Sequence, residues 1–354
     1  MLKWWPNLYN DLNTFRITGG EPLLSKDTWK VLDYIIENPN PNRELKFAIN
    51  SNLGVVDDLI DRLIEKLKII IGENRVKEVI LFTSVDAWGE QAEYIRNGLV
   101  FNKFWDNLNK VLYNLPSVTV TIMSTYNLMS PFSYNTLIKN VHQLKYEHQN
   151  DQRYWLHPIH LDTSYLRFPA HQSVKLLEDH HKEEIRKNSE LALYLGVPVF
   201  DRKHMGMTEV ETEKIKRIYD WSISESGDQK INERRNFKKF VDEHDRRRGT
   251  DFVKTFPELE EFYRKKCMNL VKDCLINKED YSKFFNLFCK MKRCNENFGN
   301  FYKDVNINDG YDFVRNYNET EIEKIIINED INDNANEFME INEVSLIWDF
   351  FKKL

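Results

Sequence analysis

Apolar and polar positions follow two rhythms along the first 200 residues, and the rhythms take turns. Short apolar runs of strand length occupy Phe15–Thr18, Leu45–Asn50, Val79–Val85, Val118–Ser124 and Trp155–Ser164. Between them apolar residues recur every three or four positions. Trp29, Val31, Leu32, Ile35 and Ile36 mark a helix over Asp27–Asn38; Leu59, Ile60, Leu63, Ile64 and Leu67 mark one over Val56–Ile71. The same spacing predicts helices over Phe101–Leu115, Tyr134–Tyr146 and Lys182–Leu195. Breakers separate the segments, most visibly Asn38-Pro39-Asn40-Pro41-Asn42 and Gly196. Met1–Thr14, aromatic and rich in Asn, reads as a connection into the first strand.

Strand and helix alternate five times with connections of crossover length, the pattern of parallel βαβ units. Runs such as Val79-Ile80-Leu81-Phe82 are apolar at both parities, which predicts a sheet covered on both faces. Two features favour a barrel over a doubly wound sheet. No nucleotide fingerprint with a downstream ribose acid follows the first strand. Polar residues also stand at the ends of several strands: Thr18, Asn50, Asn52, Ser84, Asp86, Thr125 and Ser164. Barrel enzymes assemble their sites from many strand ends in this way.

Composition narrows the choices. With 354 residues, 41% hydrophobic and 13% aromatic, the chain supports a sizeable core. Fifty basic against 56 acidic side chains give a net charge of −6, which argues against generic binding to a nucleic-acid backbone. No apolar run has the length of a membrane span, and Met1-Leu2-Lys3-Trp4-Trp5-Pro6 is no signal peptide, so a cytoplasmic location is expected.

The stretch with the most chemistry is Phe15-Arg16-Ile17-Thr18-Gly19-Gly20-Glu21-Pro22. A strand runs into two glycines that permit a sharp turn and close approach to a ligand, then an acid, then a proline that steers the chain out of helical geometry. It resembles the glycine-glycine-glutamate-proline motif of the radical S-adenosylmethionine (radical SAM) enzymes, which cradles the amino group of the SAM methionine. The segment Thr83–Gly89 with Tyr94–Gly98 resembles that family's fourth strand and loop. Val118–Asn127 matches its fifth strand, where the adenine packs. His160–Pro169 with His171-Gln172 is similar to the sixth strand of members with a "twitch" C-terminal domain.

The resemblance implies an α/β fold: a partial (β/α)6 TIM-like barrel lacking its first βα unit, followed by a mainly α-helical C-terminal region. The barrel is expected over 1–200, a helical and possibly twitch-like region over 201–304, and an acidic Asn-rich tail over 305–354. It implies S-adenosyl-L-methionine as cofactor. Gly19, Gly20 and Glu21 would hold the amino group, and Ser84 and Asp86 the ribose. Arg96 would face the carboxylate, and Asn50 and Ser51 line the cofactor or serve as turn residues. The family's reaction is hydrogen-atom abstraction by a 5′-deoxyadenosyl radical, with a reductant protein as partner. The substrate stays open among peptides, nucleosides and small metabolites. Asp162 and Arg167 are candidates for substrate contact, whereas His157 and His160, three apart in a strand, make a poor ligand pair.

The family's defining C-x3-C-x2-C motif, which ligates a 4Fe-4S cluster, has no counterpart upstream of Gly19. Two readings stand: a fragment that starts within a longer enzyme, or a cluster-less paralogue that binds SAM or a partner without catalysis. All 4 cysteines, Cys267, Cys274, Cys289 and Cys294, lie late in the chain. They are either packed reduced thiols or ligands of an auxiliary cluster. The charge-dense stretch Ile231–Arg248 reads as a solvated helix face or as a basic patch for an anionic partner.

Overall fold

The computed structural model describes residues 5–149, 157–196, 205–224 and 230–264. The chain divides into two compact units, Met1–Phe262 and Tyr263–Leu354. The four cysteines and the acidic tail fall outside the described residues. The boundary expected at residue 200 lies inside the first unit.

Five strands form one fully parallel sheet in the order β1-β2-β3-β4-β5: Thr14–Ile17, Lys46–Asn50, Glu78–Ser84, Thr119–Tyr126 and Ile159–Tyr165. Each new strand is added to the same side of the last, so the order never reverses as it does in a doubly wound sheet. With crossovers of one hand, this order sends the connecting helices to a single face. Those helices are α2 (Lys26–Glu37), α3 (Asp57–Gly72), α4 (Gly89–Ile95), α5 (Phe101–Asn114), α6 (Pro131–Glu147) and α7 (Asp179–Tyr194). Neighbours pack in series, α2 on α3, α3 on α5, α4 on α5 and α6 on α7. A short α1 (Trp5–Tyr9) precedes the sheet, where the sequence had predicted only a connection. Its Trp5 ring lies 4.4 Å from that of Phe15.

One face of the sheet is dry. Val79, Leu81 and Thr83 of β3, Val120 and Ile122 of β4, and Ile159 and Leu161 of β5 are buried against the helices. On the helices Leu63, Leu67, Phe104, Leu108, Val111 and Ile138 are fully excluded from water. Losing one such phenylalanine side chain, as in Phe104→Ala, costs about 3–5 kcal/mol. The opposite face is only half-buried: Ile80, Phe82, Ser84, Thr121, Met123, His160 and Asp162 alternate with the buried set. The expectation of a sheet covered on both faces is therefore corrected. The second apolar parity of β3, Ile80 and Phe82, stands on this half-buried face.

Beyond residue 205 the chain forms α8 (Glu209–Ile223), α9 (Lys230–Arg248) and α10 (Phe252–Thr255). Helix α8 packs along β5 and α7. Its start is a capping box: Thr208 Oγ1 accepts from Glu211 N–H, and Glu211 accepts from Thr208 N–H. The same Glu211 accepts from the Leu161 N–H on the outer edge of β5 at 2.7 Å and pairs with Lys145 of α6 at 2.8 Å. Lys145 is fully buried. One carboxylate thus starts a helix, satisfies a sheet edge and neutralises a buried ammonium.

Helix α9 is more than a solvated face. Phe237, Val241 and His244 are buried, and His244 stacks on Tyr94 of α4 with centroids 4.2 Å apart. Tyr94 OH donates to Asp245 at 2.9 Å, and Asp245 also accepts from the Phe252 N–H. The arginines of its last turn are largely self-contained: Arg246 and Arg247 both pair with Glu243. No described helix is long and apolar enough to cross a membrane.

Candidate functional site

In a parallel α/β sheet every strand delivers its C-terminal end to the same rim, and the loops there carry the site. At the end of β1, Gly19 and Gly20 adopt φ of +97° and +56°. These left-handed conformations suit glycine and strain other residues. A Cβ at either position meets no atom within 4 Å, so the requirement for glycine is conformational and the space beside the rim is open. Glu21 then caps the short 3-10 turn Pro22–Leu24, accepting from the Leu23 N–H at 3.0 Å. Its other oxygen accepts from the Asn52 N–H at 2.8 Å. The carboxylate ties the β1 loop to the β2 loop, and both oxygens are engaged by backbone.

The end of β2 is turn chemistry. Ser51 is buried and its Oγ accepts from the Leu53 N–H; Asn52 Oδ1 accepts from the Gly54 N–H. Asn50 points to the half-exposed face, where its Oδ1 accepts from Arg16 Nε at 2.6 Å. Arg16 is the residue the sequence reading passed over. Its guanidinium lies 3.7 Å from the centroid of the Phe82 ring and places Nη2 3.3 Å from Met123 Sδ. The available signal was parity: Arg16 alternates with Phe15 and Ile17, so it must stand on the other face from them.

After β3, Ser84 stands on the half-exposed face, in register with Met123. Asp86 and Arg96 come together, but with each other. Nε of Arg96 lies 2.8 Å from Asp86 Oδ2 and Nη2 3.1 Å from Oδ1. Asp86 Oδ1 also accepts from the Thr125 N–H at 2.6 Å. Asp86 and Arg96, expected to meet the ribose and the carboxylate of a cofactor, are thus paired with each other. Asp86 is only 4% exposed, and a carboxylate that buried needs its charge matched within the protein. Arg96 supplies the match and keeps about a third of its side chain exposed at the rim.

The fifth strand brings His160 and Asp162 to the half-exposed face. His157 and His160 have ring centroids 5.7 Å apart. Burial lowers both imidazoles, and the nearby Lys145 ammonium lowers them further, His157 to about 4. The Lys145 ammonium beside them also works against a bound metal cation. Among the described residues one cluster has metal-ligand spacing, Glu178 with His180 and His181. Glu178 is already paired with Arg234 at 3.0 Å, and His181 Nε2 is bonded to the Glu258 carbonyl.

The donor sets fit the two groups implied by the resemblance unequally. An open glycine rim with backbone carbonyls, a hydroxyl at Ser84 and a partly exposed guanidinium at Arg96 suit a zwitterionic, ribose-bearing cofactor. A 4Fe-4S cluster needs thiolates, and the described residues contain no cysteine.

Comparison with protein-family models, curated proteins and solved structures finds no match for this chain.

Proposed function

We propose that the C-terminal rim of this sheet binds S-adenosylmethionine in the manner of radical SAM proteins, and that the five βα units are part of a TIM-like partial barrel. The observation that carries the reading is the Gly19-Gly20-Glu21-Pro22 loop. It lies at the end of β1 in a sheet whose strands follow in unbroken order. Its two left-handed glycines open a rim, and its carboxylate fixes that rim to β2.

In this reading the carbonyls of the Gly19–Gly20 rim accept from the ammonium group of the methionine moiety. Glu21 acts by positioning, because both its oxygens hold backbone N–H groups. Ser84 faces the ribose, and the exposed part of the Arg96 guanidinium faces the carboxylate while Asp86 holds it in place. Asn50 acts through Arg16 and Ser51 through its own turn. The described residues offer no thiolate for iron, so the family's redox step is not assigned to them. The second reading is a cluster-less protein that binds SAM without radical chemistry.

Isothermal titration of the 354-residue chain with S-adenosylmethionine tests the proposal. Saturable binding that weakens about tenfold or more in Gly20→Val, with unchanged circular dichroism, is the expected result. An absence of saturable binding overturns it. Iron and sulfide analysis after anaerobic reconstitution separates the two readings. Iron lost in Cys274→Ala and Cys289→Ala supports an auxiliary cluster; a protein that takes up no iron supports the cluster-less module.

A further inference from the structure

At the opposite edge of the sheet, a second cleft of about 270 Å3 opens at the end of β5, lined by Thr163, Ser164, Tyr165, Arg167, Lys214 and Arg217. Two segments far apart in the chain build it. Helix α8 presents Lys214, Arg217 and Trp221 on one face, at i, i+3 and i+7. The end of β5 supplies Ser164, Tyr165 and, just beyond, Arg167. Beside it lies Lys175 of the 3-10 turn Val174–Leu176.

Arg167 and Lys175 lie against aromatic rings. Tyr165 and Trp221 stack with centroids 5.0 Å apart. The Arg167 guanidinium sits 5.1 Å from the Tyr165 centroid and 5.4 Å from that of Trp221, and its Nη2 donates to Tyr165 OH at 2.7 Å. Lys175 Nζ lies 3.8 Å from the Trp221 ring centroid. Of the three cations that line the cleft, Lys214 pairs with Asp162. Arg167 and Arg217 have no acidic partner among the described residues. A chain of net charge −6 that concentrates unmatched positive charge in one concave spot concentrates anions there as well.

We propose that this cleft binds a phosphate group of a small phosphorylated molecule. Arg167 and Arg217 would fork its oxygens, and Lys214 would add a point charge. The size of the cleft favours a phosphoryl or pyrophosphoryl group over a polynucleotide, which needs an extended basic track. The cleft shares the C-terminal rim of the sheet with the Gly19–Gly20 loop. The assignment of the ligand as the substrate of the SAM site rests on the proposed function; the cleft's affinity for phosphate does not.

Titration of the 354-residue chain with inorganic pyrophosphate at physiological salt is the test. Saturable 1:1 binding is expected, weakened about tenfold in Arg167→Ala and in Arg217→Ala and lost in the double variant. Both side chains are exposed, so the fold should survive, which circular dichroism checks. Lys239→Ala and Arg247→Ala, in the basic groove along α9, should leave the affinity unchanged. Absence of binding, wild-type affinity in the double variant, or loss tracking Lys239 and Arg247 overturns the proposal. So does a single-stranded oligonucleotide that binds more tightly than pyrophosphate through the same arginines. SAM titrations on the same samples keep the two ideas apart. SAM binding without pyrophosphate binding defeats this cleft alone, and the converse defeats the SAM rim alone.

Discussion

Glu21 reaches 31 residues along the chain, from the loop after β1 to the Asn52 N–H after β2, at 2.8 Å. The contact joins the two strand ends through a charge-assisted hydrogen bond, and a second bond to the Leu23 N–H starts the 3-10 turn. An acid here does local structural work whatever binds beside it.

Replacing Glu21 with Gln should therefore destabilise the chain. The amide keeps one acceptor and turns its NH2 group toward the other N–H donor. The expected loss is about 1–2 kcal/mol by urea denaturation, with a larger loss for Ala. A Gln variant as stable as the parent would show that the two bonds contribute nothing.

The Asp86–Arg96 pair should behave as a unit. Asp86→Ala strands a partly buried guanidinium and the Thr125 N–H; the expected cost is about 2–3 kcal/mol, discounted because Arg96 keeps a third of its side chain in water. A double-mutant cycle with Arg96→Ala should return a coupling of about 1 kcal/mol or more. Additive single effects would mean the pair is not formed in solution.

Lys145 and Glu211 form the most buried ion pair among the described residues. Burial works against the Glu211 charge, but Lys145, His160 and the Leu161 N–H together hold its carboxyl below the ordinary glutamate range. Lys145→Met should cost about 3–5 kcal/mol, because it leaves a carboxylate buried without its cation. Lys145→Met combined with Glu211→Gln should recover part of that loss. In the parent protein the stabilisation is present above the ordinary glutamate value of 4.5 and is lost as pH falls below it.

A separate acid sensitivity comes from the histidines. Burial lowers His160, His181 and His244, and takes His157 from 6.5 to about 4. Between those two values the unfolded chain binds a proton at His157 that the folded chain refuses. Stability should hold above pH 6.5 and decline steadily toward pH 4, measured by urea denaturation across that range. His157→Phe should flatten part of the decline, since it also removes a buried Nδ1 that has no partner. A parent profile that is flat from pH 7 to 5 would refute the assignment.

Much of this molecule was legible in its sequence, because burial on one face of a helix leaves a repeating apolar signature. The helices over α2, α3, α5, α6 and α7 and all five strands stand within a few residues of where periodicity puts them. The turn at Gly19-Gly20 was legible for a similar reason: only glycine adopts those φ values without strain. Helix α4 was not, since seven residues carry too little period to separate from a loop. What periodicity cannot carry is which side chain meets which across the fold. Asp86 and Arg96 looked like two ligands for a cofactor, and tertiary structure made them partners, because a buried carboxylate takes the nearest available cation. The half-exposed face, Arg16 laid across Phe82, and the meeting of Arg167 with Trp221 from α8 depend on strand order and helix placement. The local residue pattern determined the elements and their turns. Contacts between residues far apart in the chain, which minimise unpaired charge and exposed apolar surface together, decided the site.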